Sequence, residues 1–112
     1  MADKRDKKRH RKRLTLKFGM NQPARVAFTE DISMEGMFIK TTNVCPPGSK
    51  VLIDIGIQGE QTVSLEARVM WAKKVPPQMI NLARKSGMGV RIIRFISGNE
   101  QYRQLCQELL SR

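Results

Sequence analysis

Residues 50–71 read KVLIDIGIQGEQTVSLEARVMW, and this stretch decides the fold class. Val51, Ile53, Ile55 and Ile57 fall on alternate positions, with Lys50, Asp54 and Gly56 between them. Beyond Gly59-Glu60 the alternation resumes, with Val63, Leu65, Ala67, Val69 and Trp71 set against Ser64, Glu66, Arg68 and Met70. A period of two marks a strand with one buried face. Two such runs joined by a short Gly-containing loop predict a hairpin. By the same period Trp71 belongs to the inner face.

The rhythm extends in both directions. Leu14, Leu16 and Phe18 alternate with Thr15 and Lys17, and Arg25 to Glu30 is a second strand with Val26 and Phe28 on its apolar face. Asp31-Ile32-Ser33-Met34-Glu35-Gly36 interrupts the pattern, and Met37 to Thr41 resumes it. Pro46-Pro47-Gly48 is a turn signal. Pro76-Pro77 ends the strand through Trp71, and the connection of residues 75–86 has room for a helical turn around Met79–Ala83. Gly87 to Ile96 is the last strand, where Gly89 implies a bulge or a close backbone contact. Ser97 with Glu100 three residues on reads as a capping box. Tyr102, Leu105, Cys106, Leu109 and Leu110 then form one apolar stripe, which predicts an amphipathic helix over 98–111.

Six short strands and one terminal helix make a mainly β protein. An antiparallel set of this size closes into a small barrel, because closure removes exposed edges. The helix then covers an open end or a flank. The 112 residues are one domain's worth of chain, with 40% hydrophobic and 28% charged residues. The expected layout is a flexible basic tail over residues 1–8 and a β-barrel domain over 9–112.

Charge is uneven. The net charge is +11, from 21 Lys and Arg against 10 Asp and Glu. Lys4, Arg5, Lys7, Lys8, Arg9, Arg11, Lys12 and Arg13 crowd the first thirteen residues, opposed by Asp3 and Asp6 alone. A run of like charges cannot pack into a core. It is either a solvated tail or a grip on an anion, with phosphates the first candidates and an anionic membrane surface the second. No apolar run is long enough to span a membrane, and no apolar segment follows the basic start as a secretory signal requires. Cys45 and Cys106 stand far apart, and His10 sits among cations. That leaves no recognisable metal site or nucleophile–base pair, so an enzyme is not expected. A cytoplasmic location with reduced thiols is the simplest reading.

Two motifs stand out from the scaffold. One is Arg9-x-x-x-Arg13 at the mouth of the first strand. The other is Asp31-x-Ser33-x-x-Gly36 between the second and third strands. Alone, the first occurs in any basic run, and the second serves as a plain turn. Together, in this order and before an alternating β pattern and a final helix, they resemble the PilZ family. Pro47-Gly48, Arg68-Val69-Met70-Trp71 and Gly89-Val90-Arg91 leading to Phe95 add to the likeness, which covers nearly the whole chain. The resemblance implies a bacterial six-stranded PilZ-like barrel. It also implies that the barrel binds cyclic di-GMP, a second messenger, and passes the signal to a partner protein. By that resemblance Arg9, Arg13, Asp31, Ser33 and Gly36 contact the ligand, with Lys8 and Trp71 as secondary candidates. Lys8 stands where the family often has a further Arg, keeping the charge but losing the planar fork.

The residue chemistry is compatible. A guanidinium matches phosphate oxygens and guanine O6 and N7, and its plane stacks on a base. An ionised Asp31 accepts from the guanine N1–H and N2–H₂ edge. The expected function is a cyclic di-GMP receptor in which residues 5–13 order against the barrel on binding and alter a protein-interaction surface. No cofactor or metal is expected beside the ligand. The partner is a downstream protein, and the domain is a monomer or weak dimer. Two alternatives stay open: a basic barrel binding nucleic acid through its N-terminal arm, and a PilZ-like interaction module without nucleotide. Aromatics at 5%, with no ladder for base stacking, argue against nucleic acid.

Overall fold

The structure, a computed structural model, describes residues 10–57, 59, 61–75 and 86–110. Within them lie strands β1 (His10–Arg11), β2 (Thr15–Gly19), β3 (Arg25–Ile32), β4 (Gly36–Lys40), β5 (Lys50–Gly56), β6 (Thr62–Lys73) and β7 (Gly87–Ser97), and helix α1 (Asn99–Leu110). All the pairings are antiparallel. Around the barrel the order is β3-β2-β5-β6-β7-β4, and β4 pairs back onto β3 to close it. The fold is therefore the expected closed six-stranded barrel with a C-terminal helix. β1 is a short addition that extends along β3. The tail of residues 1–8 and the helical turn around Met79–Ala83 lie outside the described residues.

The alternation read from residues 50–71 is the alternation of the core. Val51, Ile53 and Ile55 of β5 and Val63, Leu65, Ala67 and Val69 of β6 point inward, against Leu16, Phe18, Met37, Ile39, Met88 and Val90 from the other strands. Each Val, Leu, Ile, Phe or Met among them contributes about 1.5–3 kcal/mol when fully removed from water. Helix α1 buries Tyr102, Cys106 and Leu109 in the same cluster, with Leu105 partly covered, as the apolar stripe predicts.

Three local expectations are corrected. Val26 and Phe28 face outward, and Val26 is 62% exposed. Directly opposed residues on paired strands share a face. Leu16 and Phe18 claim the interior for β2, and Leu16 opposes Ala27, so Ala27 and Thr29 are the inward residues of β3. Trp71 is not core but 49% exposed. The β6–β7 register slips between Val69 and Trp71, so Met70 is an extra residue and both Met70 and Trp71 emerge on the outside. Ser97 does not cap the helix, since it ends β7 opposite Ser64. The cap is Gly98, whose carbonyl accepts the Tyr102 amide at 3.0 Å. Its φ of 82° is the left-handed region that glycine enters without strain.

Candidate functional site

Strand register sets a row of residues side by side across five strands: Arg11 on β1, Asp31 on β3, Phe38 on β4, Gly89 on β7 and Trp71 on β6. The row runs over the outside of the barrel, with Arg11 and Trp71 exposed and Asp31 and Phe38 partly buried. Asp31 reaches that face because β3 carries a bulge between Thr29 and Asp31. Trp71 reaches it through the bulge at Met70. The indole stacks on Phe38, with ring centroids 5.3 Å apart and planes 23° apart. It lies over Gly89, where a Cβ would collide with its Nε1. The close contact expected at Gly89 is thus with a side chain.

Beside this row is a second one, Phe28 on β3, Lys40 on β4 and Gly87 on β7. Here a cleft of about 500 Å³ opens, walled by Arg11, Lys12, Arg13 and Lys40 and floored by Phe28. The Arg13 guanidinium carbon sits 4.2 Å from the centroid of the Phe28 ring. At that distance the ring face attracts the cation. Arg9 and Lys8 lie outside the described residues. His10 and Arg11 pair with Ile32 and Asp31, so the basic arm belongs to the sheet from His10 onward.

The loop from Ser33 to Gly36 is tightly determined. The Ser33 hydroxyl accepts from the amides of Glu35 at 3.3 Å and Gly36 at 3.2 Å, and donates to the Gly36 carbonyl at 3.3 Å. The Ser33 amide donates to the same carbonyl at 2.8 Å. From below, the fully buried Tyr102 donates its hydroxyl to the Ser33 carbonyl at 2.6 Å. Gly36 faces β7 so closely that a Cβ would run into the Val90 carbonyl oxygen. Ser33 is 5% exposed, so its hydroxyl shapes the loop, while Asp31 is the member of the motif that reaches the outer face. A hollow of about 240 Å³ separates this loop from Trp71, with Arg91 and Met70 on its rim.

The arrangement brings Arg13, Asp31, Ser33, Gly36 and Trp71 to one side of the barrel. Phe28, Phe38, Arg11 and Lys40 were not singled out by the sequence. Two signals pointed to the phenylalanines: Gly87 in β7, which leaves a slot for Phe38, and the prior claim of β2 on the core, which turns Phe28 outward. A Cβ at Gly87 would collide with the Phe38 ring. Cys45 and Cys106 are free and buried. Burial pushes both thiols up from the ordinary range, with Arg25 drawing Cys45 partly back and a hydrogen bond with Tyr102 doing the same for Cys106. Among the described residues no group of three or more His, Cys, Asp or Glu is placed to hold a metal. No helix among them is long and apolar enough to cross a membrane.

Comparison with known proteins agrees with this fold. The solved structure of the Bacillus subtilis inhibitor of motility, MotI/DgrA, superposes with a TM-score of 0.68 at 16% identity, over 93% of this chain and 48% of that one. At that identity the likeness is one of fold, and the chain spans about half the length of the structure it matches. No curated protein sequence matches significantly. The sequence profile of the PilZ domain, a family of binding modules, matches residues 3–111. The chain belongs to the PilZ domain family.

Proposed function

We propose that this domain is a cyclic di-GMP receptor without catalytic activity, whose output is a change in the surface it offers a partner protein. The observation that carries the reading is the shared face of Asp31, Arg13 and the Phe38–Trp71 stack. Cyclic di-GMP is a dianion with two guanines, and each part of it has a counterpart on that face. The Asp31 carboxylate accepts from the guanine Watson–Crick edge. The half-exposed indole offers a flat surface to a base. Arg13, already over one ring, exchanges that weak attraction for charge-assisted bonds to phosphate or guanine. Arg11, Lys12 and Lys40 keep the cleft positive, and we assign the charges of Arg9 and Lys8 to the same ligand. Ser33 and Gly36 act by holding the loop that follows Asp31.

Calorimetry with cyclic di-GMP tests the reading. The wild-type domain should bind, and Arg13→Ala should weaken binding roughly tenfold to a hundredfold, the worth of one or two charge-assisted bonds. No binding by the wild type ends the proposal. Unchanged affinity in the variant removes Arg13 from the site.

One observation favours a second reading. The Phe38–Trp71 stack, with its indole half-exposed beside a basic cleft, is also what a single-stranded nucleic acid needs. That reading predicts length-dependent binding of oligonucleotides that falls steeply with salt. A gel shift at physiological salt without retained oligonucleotide sets it aside.

A further inference from the structure

Between the last pair of β1, Arg11 with Asp31, and the first of β2, Thr15 with Phe28, the chain has three residues on one side and two on the other. Lys12 donates its amide to the Glu30 carbonyl at 3.2 Å, and Leu14 accepts from the Thr29 amide at 2.9 Å. Arg13 is the extra residue, and the segment is a bulge. A bulge takes main-chain groups out of the ladder, and here they lie against the core. One side chain satisfies them. The Thr29 hydroxyl accepts from the Leu14 amide at 2.8 Å and donates to the Lys12 carbonyl at 2.5 Å. It thereby ties the two flanks of Arg13 together from inside, where Thr29 is 2% exposed. Neighbouring residues of a strand point to opposite faces. So Thr29 holds the bulge from beneath, while Phe28 receives the Arg13 guanidinium from above.

We propose that Thr29 is a positioning residue for the ligand site: its buried hydroxyl sets the bulge that aims Arg13 into the cleft. Ligand then meets a guanidinium whose backbone is already fixed, and less ordering is required on binding. The ligand part rests on the cyclic di-GMP reading above, whereas the aiming of Arg13 does not.

The test uses Thr29→Val, which keeps the shape and removes the hydroxyl, Thr29→Ala as a second hydroxyl-free variant, and Thr29→Ser, which restores it. Without added ligand, the Arg13 side-chain protons of the wild type should carry an upfield ring-current shift in NMR spectra. Valine and alanine should abolish that shift and serine should keep it, with the Trp71 indole signal reporting an intact barrel in each. In calorimetry with cyclic di-GMP, Thr29→Val should weaken binding roughly tenfold, and adding it to Arg13→Ala should cost little more, because the hydroxyl acts through Arg13. Retention of the Arg13 shift in folded Thr29→Val or Thr29→Ala overturns the proposal, as does its loss in Thr29→Ser or additive losses in the double variant. A wild type that shows no cyclic di-GMP binding sinks the receptor reading instead, and the NMR comparison still decides the role of Thr29.

Discussion

Tyr102 shows how one residue ties the helix to the candidate site. It sits on the apolar stripe of α1, is wholly buried, and gives its hydroxyl hydrogen to the Ser33 carbonyl at 2.6 Å. The aromatic ring thus serves the core, while the oxygen serves the loop of the second motif. Tyr102→Phe should leave that buried carbonyl short of its closest donor and cost about 1–3 kcal/mol of stability, read as a lowered urea midpoint with an unchanged slope. An unchanged midpoint would mean that the loop holds itself. Gly36 carries a related constraint. Its missing side chain is explained by the Val90 carbonyl across the β4–β7 pair, which leaves no room for a Cβ. Asp31 is different, since the bulge at Glu30 turns it to the outer face.

At the scale of elements, β6 and β7 carry the consequences of their register shifts. An uninterrupted β6 would have turned Trp71 inward with Val69. The extra residue at Met70 instead presents the indole outside, over the backbone of Gly89 and against Phe38. Strand and bulge therefore work as a pair: one supplies the ring and the other a glycine slot to receive it. Gly89→Ala fills that slot and should displace the indole toward water. The expected readout is a red shift of the single tryptophan's emission, together with weaker cyclic di-GMP binding. An unshifted spectrum would show that the ring does not depend on the slot.

For the whole molecule, closure of the barrel leaves function to its outside. The interior is filled by aliphatic side chains from all six strands, and both cysteines are buried with them. Their raised thiol pKa values mean less thiolate at neutral pH than a free cysteine has. A disulfide-exchange reagent should therefore label the native domain slowly near pH 7, faster as the pH climbs, and at once in denaturant. Rapid native labelling would contradict the burial of both residues. The outer surface, by contrast, gathers Arg11, Lys12, Arg13 and Lys40 around one cleft, a local positive field on the face that Asp31 shares.

Local pattern alone was enough for the barrel and the helix. Alternation in residues 14–18, 51–57 and 63–69 and the stripe from Tyr102 to Leu109 are local patterns, and burial of apolar area acts on them directly. It also determined the two motifs, since Arg13 and Asp31 are recognisable by type and spacing. Tertiary structure alone decided which way Phe28 and Trp71 face. The facing of Phe28 depends on which neighbour opposes Ala27, and that of Trp71 on where an extra residue interrupts the β6–β7 ladder. Register is a relation between distant segments, and a one-residue slip reverses every side chain beyond it. For the same reason Thr29, an unremarked residue in the sequence, becomes the tie beneath Arg13 only when β1, β2 and β3 lie side by side.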